Sequence, residues 1–139
     1  MSSLVRVLGS LERQLTHHLE PALAIEGLGI DQWRVLDLLA DGHGMPMSRI
    51  AYQLLVPKPT LTKIVDRLVD ASLVYRRVDD RDRRRVLVLL ADRGQLVHRR
   101  MSPQARRIER EFLAGLGVDQ ELVERLVEQV ATAQPQLDA

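Results

Sequence analysis

Apolar residues recur at helical spacing through most of the chain. The first stripe has intervals of four, three and four residues and consists of Leu4, Leu8, Leu11 and Leu15. Because these positions share one narrow face, they predict a helix that ends near Pro21 and packs along another helix. A second helix is predicted from after Gly29 to the Asp41-Gly42 pair. Its apolar face contains Trp33, Leu36, Leu39 and Ala40.

Two shorter helices separated by a turn are predicted next. Ser48 stands at the expected N-cap of the first, which ends before Pro57. The second extends from about Pro59 to Ala71, and its positions separate into two faces at about 100° per residue. The face predicted to be buried contains Leu61, Ile64, Val65 and Leu68. The opposite face contains Pro59, Thr62, Lys63, Asp66, Arg67 and Asp70.

The segments 73–78 and 86–90 are rich in Val, Leu and Tyr, and the polar run 79–85 separates them. This pattern predicts two strands joined by a hairpin loop. Helical spacing returns after Asp92, where Pro103 is expected to kink the helix or split it at Ser102. The apolar positions of the last two helices are Val97, Met101, Ala105, Ile108 and Phe112, then Leu122, Leu126 and Val130.

The order of these elements defines the expected fold. Two helices, a helix-turn-helix, a hairpin and two more helices predict a mainly α (α+β) winged helix-turn-helix with extra helices at both ends. The length of 139 residues fits one domain, and 45% apolar residues suffice for a core. Aromatic residues make up only 3%, so the core is expected to be aliphatic.

The charge distribution indicates an anionic partner for the centre of the chain. Between Arg49 and Arg107 there are 15 Lys or Arg and 6 Asp, a net charge of +9, whereas the whole chain carries +1 and the flanks together therefore carry −8. A basic block of this kind favours an anionic partner, although a merely solvated basic face gives the same count.

Several classes of function are excluded by what the sequence lacks. The absence of cysteine excludes disulfides, thiolate zinc sites and thiol redox switches. No glycine-rich phosphate loop or Ser-His-Asp spacing indicates an enzyme, and no cofactor is expected. The four histidines lack ligand spacing, so no metal site is predicted. No apolar run approaches the length of a membrane span, and the charged start differs from a signal peptide, so we expect a cytoplasmic protein without a membrane partner.

The outer face of the second helix of the helix-turn-helix carries groups suited to DNA. Such a helix fits the major groove and presents its first turn and outer face to bases and phosphates. The candidate DNA-binding residues on it are Lys58, Thr60, Thr62, Lys63 and Arg67. A solvated basic face is the alternative interpretation of these residues alone.

The hairpin loop strengthens the DNA interpretation. It contains four arginines in the five positions from Arg81 to Arg85, and arginine is the residue drawn into a narrow minor groove. The aspartates among them cannot favour DNA by charge, so we expect them to hold arginines in place, with Asp82 paired to Arg84. Arg81 and Arg83 are further candidate contacts. The alternative is a surface loop that neutralises its own charge.

Three segments resemble the MarR-type (multiple antibiotic resistance) transcriptional regulators: QWRVLDLL at 32–39, PTLTKIVDRLVDASLVYRR at 59–77 and DRDRRRVLVLLADRG at 80–94. The resemblance implies a winged helix-turn-helix at 30–94 and a homodimer interlocked through 1–26 and 95–139. It further implies a regulator, usually a repressor, on a pseudo-palindromic operator of double-stranded DNA, with each wing in a minor groove. By this resemblance Asp82 orients the Arg84 that enters the groove.

Four positions depart from the pattern of that family. Leu55 stands where a turn glycine is common. Pro57 replaces the usual serine cap of the recognition helix, which is the second helix of the helix-turn-helix. Ser72 replaces a frequent glycine, which is expected to strain the backbone if its φ is positive. Ala91 replaces a capping threonine, and we expect Asp92 to cap one residue later.

The resemblance also implies a small aromatic or anionic effector between the dimer helices and the winged region. Candidate residues for this site are His17, His18, Trp33, Arg34 and Arg76. Trp33 also fits a core position, and Arg34 would provide the cation for a carboxylate. The main alternative function is a winged-helix protein-interaction module, but the exposed positions are basic rather than apolar. RNA binding is weaker still, because no stacking aromatics accompany the charge.

Overall fold

The structure, a computed structural model, describes residues 3–133. Within that range the chain forms six helices and a three-stranded sheet. Their order is α1 (Leu4–Ile25), α2 (Ile30–Leu38), β1 (Met45–Pro46), α3 (Met47–Leu54), α4 (Lys58–Asp70), β2 (Val74–Val78), β3 (Val86–Leu90), α5 (Asp92–Gly115) and α6 (Gln120–Ala133). The predicted winged helix-turn-helix is confirmed. Positions 1–2 and 134–139 of the predicted dimerisation segments lie outside the described residues.

One aliphatic core joins every element except α6. Its fully buried members come from α1, α2, α3, α4, β3 and α5, and include Leu23, Leu36, Ile50, Leu61 and Met101. No polar or charged residue in the described chain is buried. Burial of apolar side chains therefore drives the packing of α4 against α2 and α3, which fixes the outward direction of its polar face.

The sheet is antiparallel with the order β1-β3-β2. In the predicted hairpin, Val74 pairs with Leu90 and Val78 with Val86. The strand β1 was not predicted, because two residues are too few for an alternating pattern. It pairs with β3 at Met45 and Val88, and Pro46 is tolerated there because β1 lies at the edge of the sheet.

The predicted end of α1 near Pro21 and the predicted split at Ser102 are wrong, while the predicted kink at Pro103 stays a prediction. Helix α1 continues through Pro21 to Ile25, and α5 is unbroken across Pro103. A proline removes one backbone hydrogen bond, but each of these rings is exposed, and the residues beside it pack into the core. Helix α1 ends instead where Gly27 adopts a φ of 73° and Leu28 N donates to Leu23 O at 3.0 Å.

Three predicted helix boundaries also need correction. Ser48 is not the N-cap of α3, because pairing of β1 with β3 makes Pro46 the last extended residue. The N-cap of α5 is Ala91, and Asp92 is its first helical residue rather than its cap. Helix α2 ends at Leu38, before the predicted stop at Asp41-Gly42, and Ala40 is exposed.

The terminal helices leave apolar residues uncovered. Leu4 and Leu8 at the start of α1 are exposed, and α6 has no buried residue. Along α6 the exposed apolar side chains are Leu122, Leu126, Val127 and Val130. No helix in residues 3–133 is long and apolar enough to cross a membrane.

Candidate nucleic-acid interface and adjoining cavity

A strained turn connects α3 to α4. Leu55 adopts the left-handed conformation with a φ of 52°, and Val56 N donates to Ala51 O at 3.0 Å. A non-glycine residue in this region costs roughly 1–2 kcal/mol. Pro57 is the N-cap of α4, and its carbonyl accepts the hydrogen bond of Leu61 N at 3.0 Å. The family glycine and serine are thus replaced by residues that still make the turn.

The predicted DNA-binding residues of α4 all lie on its exposed side. The buried side consists of Leu61, Val65 and Leu68. Thr62 Oγ1 donates to Lys58 O at 3.0 Å, so this hydroxyl has spent its only proton within the helix. In this arrangement Thr62 presents its acceptor lone pairs and its methyl group outward, and donating to a phosphate would require it to give up the bond to Lys58 O. The other exposed candidates are Lys58, Thr60, Lys63 and Arg67.

The negative charge of Asp66, on the exposed face of α4, is balanced by an arginine of the neighbouring strand β2. Asp66 Oδ1 accepts a hydrogen bond from Arg76 Nη2 of β2 at 2.5 Å. This pair offsets a negative charge that would otherwise repel phosphate. It also places Arg76 beneath α4, so the structure does not bring this predicted effector residue to Trp33 and Arg34.

The wing is the loop between β2 and β3, and its carboxylates organise its arginines. Asp79 N donates to Arg85 O at 3.0 Å and closes the loop, while Asp79 Oδ1 accepts from Arg81 N at 2.9 Å. Asp82 Oδ1 accepts from Arg84 N at 3.1 Å and from Arg84 Nε at 3.4 Å. The predicted Asp82–Arg84 contact is confirmed. Arg84 remains 93% exposed, so it is held at its base and projects outward.

The basic surface extends from the wing towards α3. A cleft of about 450 Å³ there has four arginines in its lining, together with Asp79 and Asp80. Three of these, Arg49, Arg77 and Arg85, were not among the predicted contacts. Arg49 and Arg77 lie outside both the recognition helix and the wing loop. The arginines of the cleft are Arg49, Arg77, Arg81 and Arg85.

The end of α4 is fixed to the start of α5 through main-chain atoms. Arg93 Nη1 donates to Ala71 O at 2.9 Å, and Ala91 N donates to Leu73 O at 3.0 Å. A Cβ added to Gly94 would lie 2.0 Å from Leu73 O, so only glycine permits this approach. Ser72 makes the turn with a φ of 60°, so the condition under which strain was expected at this position is met. Neither Arg93 nor Gly94 was predicted from the sequence.

A cavity of about 310 Å³ lies between α1, α2, α3 and α5. Trp33 and Arg34 line it. The indole of Trp33 is 6% exposed and stacks on the His98 ring with centroids 5.2 Å apart, so Trp33 belongs to both core and cavity. The apolar wall consists of Leu15, Leu19, Ile30, Leu38 and Leu54.

The two predicted histidines of α1 lie elsewhere. His17 and His18 are exposed and do not line the cavity. His18 Nδ1 lies 2.8 Å from Gln14 O, and its ring packs on Phe112 of α5 with centroids 5.1 Å apart. Of the five predicted effector residues, the structure therefore brings together only Trp33 and Arg34.

Charged residues surround the mouth of the cavity. Arg34 pairs with Glu12 of α1, and Asp37 Oδ1 lies 2.9 Å from His98 Nε2. Glu109 of α5 completes the lining. Burial, and secondarily the charge of Asp37, raise the pKa of Glu109 above its usual 4.5, against the opposing effect of Arg106. Glu109 was missed because it is far from α2 in sequence.

Metal binding finds no support in the described part of the chain. Among residues 3–133, no group of three or more His, Cys, Asp or Glu side chains is placed to hold a metal ion.

Comparisons with known proteins agree with the sequence resemblance. A sequence model of the MarR family matches residues 26–85. The homoprotocatechuate degradative operon repressor of Escherichia coli is 30% identical over 101 residues, which cover 70% of this chain and 68% of that protein.

Two solved structures share the fold over nearly the whole chain. The transcriptional regulator PA4135 is 26% identical with a TM-score of 0.82, covering 97% of this chain and 100% of that one. NadR in complex with 4-hydroxyphenylacetate is 25% identical with a TM-score of 0.81, covering 96% of both chains. The chain belongs to the MarR family of transcriptional regulators, which is not a class of enzymes.

Proposed function

We propose that the protein is a homodimeric, sequence-specific repressor that acts in the cytoplasm on a pseudo-palindromic DNA operator. The observation that carries this proposal is the pairing of Asp82 with a projecting Arg84 at the tip of a wing that follows an exposed basic helix. In this proposal residues 30–94 contact DNA, and residues 1–26 and 95–139 form the dimer.

The electrostatics of the two elements suit two different grooves. Helix α4 presents Lys58, Lys63 and Arg67 on one exposed side, with the acidic Asp66 neutralised by Arg76. These groups can contact major-groove bases and phosphates. Arginine at a loop tip suits the negative potential of a narrow minor groove. The carboxylate of Asp82 limits the side-chain freedom that Arg84 would otherwise lose on binding.

Dimer formation is supported by the apolar residues that the chain leaves uncovered. The exposed stripes at the start of α1 and along α6 lie on the terminal helices, away from the basic face of α4. Covering them with the same stripes of a second copy would make a two-fold interface. Two recognition helices related by this symmetry would read the two halves of the operator.

We further propose that a small aromatic effector controls the repressor from the cavity at Trp33 and Arg34. Two relatives support this: one is named a repressor of a homoprotocatechuate degradative operon, and another was solved with 4-hydroxyphenylacetate. The cavity lies between α1, α2 and α5, so a bound molecule would alter the placement of the winged region against the terminal helices.

Footprinting on the DNA that flanks the protein's own gene tests this function. We expect two protected half-sites on one face of the duplex, centred about 10 base pairs or a multiple of that apart. Protection should disappear in Lys63→Ala/Arg84→Ala, whereas Arg110→Ala, which removes one charge from α5, should leave it intact. Binding of the wild type to random DNA with equal affinity would contradict a sequence-specific regulator and favour a different role for the basic surface.

A further inference from the structure

The cavity at Trp33 has more negative than positive groups in its lining. Three carboxylates reach it, Glu12 from α1, Asp37 from α2 and Glu109 from α5, against the single guanidinium of Arg34. A cavity with this balance attracts positive charge and disfavours a second anion.

The one cation is already engaged. Arg34 pairs with Glu12, lies 3.4 Å from Thr16 Oγ1 and has Asp31 Oδ1 within 3.6 Å. A carboxylate ligand would have to compete for this guanidinium with Glu12, which the chain itself supplies at high effective concentration. Arg34 therefore serves the structure as a partner of acidic residues rather than as a free anion site.

On the opposite side of the cavity, Asp37 and Glu109 are the charged residues among the described residues of the lining. Burial, and secondarily the charge of Asp37, raise the pKa of Glu109, and the charge of Arg106 offsets this increase only in part. His98 contacts Asp37 Oδ1, but it is also stacked on Trp33. A ligand cation between these two carboxylates would relieve their repulsion and stabilise the ionised form of Glu109.

The remaining wall suits a single ring. Leu15, Leu19, Ile30 and Trp33 are apolar, and about 310 Å³ is at the lower end of the volumes that bind small molecules. A molecule with one aromatic ring could fill this space and place a short charged group at the mouth.

We propose that the effector cavity selects a small aromatic cation, a ring bearing a protonated amine, with its ammonium group between Asp37 and Glu109. This inference rests on the proposed function of a regulator controlled by an aromatic effector, and it names the charge of that effector.

Three probes of nearly equal size test the charge directly: 2-phenylethylamine, phenylacetate and uncharged 2-phenylethanol. Trp33 is the sole tryptophan, so its fluorescence reports occupancy of the cavity. We expect the amine to bind about tenfold or more tighter than phenylacetate, with the alcohol between them. Acidification should weaken amine binding at a pH above the ordinary pKa of a glutamate, because Glu109 becomes protonated. The other charged or titratable groups around Glu109 are Glu12, Asp37, Arg34, His98 and Arg106.

Variants identify the groups responsible. Asp37→Asn and Glu109→Gln should each weaken binding of the amine severalfold and leave binding of the alcohol unchanged. Glu111→Gln, which removes an exposed charge from α5, should change the affinity for neither probe. Glu12→Gln should free Arg34 and raise the affinity for phenylacetate. Circular dichroism of each variant separates these effects from misfolding.

The outcomes distinguish this inference from the proposed function. Tighter binding of phenylacetate than of the amine would overturn the charge assignment and keep an aromatic effector. If none of the three probes changes Trp33 fluorescence or gives heat in calorimetry, the cavity assignment itself is overturned. Operator binding without a ligand, measured on the same samples, tests the repressor function separately.

Discussion

Helices α4 and α6 carry similar apolar stripes, but only the stripe of α4 is buried within the chain. In α4, Leu61, Val65 and Leu68 are fully buried by the rest of the chain. In α6, Leu122 and Leu126 are 56% and 57% exposed. Periodicity therefore reveals that a helix has an apolar face, but whether the same chain or a second copy covers it is a property of the fold.

This difference separates stability from assembly. Changes in the core of the winged region should lower the free energy of unfolding at any protein concentration. Changes on the stripe of α6 should act through association and depend on concentration.

The largest effect is expected from Gly94→Ala at the joint between α4 and α5. The added Cβ would lie 2.0 Å from Leu73 O, a backbone atom that cannot move aside alone. We expect a loss of about 3 kcal/mol or more in the free energy of unfolding, measured by urea denaturation. Gly115→Ala, at the end of the same helix, is the control, because its Cβ would meet no atom within 4 Å. Equal effects of the two variants would contradict the close approach.

The next effect should come from Leu122→Glu/Leu126→Glu on α6. Charges on the uncovered stripe should dissociate the dimer, which sedimentation would reveal as a monomer with an intact circular dichroism spectrum. Operator affinity should fall about a hundredfold or more, because two linked recognition helices become independent. Thr132→Glu adds a charge on the opposite side of α6, outside the stripe, and should remain dimeric. A double variant that still sediments as a dimer would place the interface elsewhere.

In the wing, Asp82→Ala and Arg84→Ala should each weaken operator binding by about tenfold. Simple charge counting gives the opposite sign for Asp82, since its removal favours DNA. Because Asp82 acts through Arg84, the double variant should be little worse than Arg84→Ala, whereas Lys63→Ala should add independently.

The matched control for this cycle is Asp80→Ala, which removes the same charge from the same loop and should leave binding equal or tighter. If Asp82→Ala behaves like Asp80→Ala, the wing is a nonspecific phosphate patch.

A smaller effect concerns the salt dependence of binding. The logarithm of the binding constant should fall steeply with the logarithm of salt concentration, by about 0.9 for each phosphate contacted. Lys63→Ala should reduce this slope by nearly two for a dimer, whereas Leu122 and Leu126 are uncharged and make no such contribution. A shallow slope for the wild type, measured by anisotropy with a short duplex, would refute the phosphate contacts.

The smallest effect is a pH dependence at the contact of α5 with α2. Because the folded state raises the pKa of Glu109, it binds the proton more readily than the unfolded chain does. The associated stability is present below the unfolded pKa and is lost as pH rises through the folded value. Glu109→Gln should therefore gain stability over wild type across that rise, and denaturation at several pH values should show a difference that disappears in acid.

The sequence predicted best where chemistry and spacing are local. The faces of α4, the hairpin and the Asp82–Arg84 contact involve residues close in the chain, and the structure contains all three. The helix end expected near Pro21 and the split expected at Ser102 were wrong, because packing on either side of each proline outweighs one lost hydrogen bond.

The cavity was predictable only in part, since its groups are distant in sequence. Arg34 was identified as a cation, but its partner Glu12 comes from α1 and Glu109 from α5. Helical periodicity gives the face on which a residue lies, and it contains no information about which helix packs opposite. The charge of this site therefore required the folded chain.

The left-handed residues Leu55 and Ser72 limit the length of α4 and thereby fix the direction in which its side chains point about the helix axis. Leu55 lies three residues before the first helical residue and Ser72 two residues after the last, so the helix cannot extend beyond Val56 or Ala71 without taking in a left-handed position. A single residue inserted within α4 would turn everything beyond it by about 100° about the axis. Related proteins could therefore change which bases they read by exchanging side chains on this helix, but insertions and deletions there would point the same side chains away from the groove.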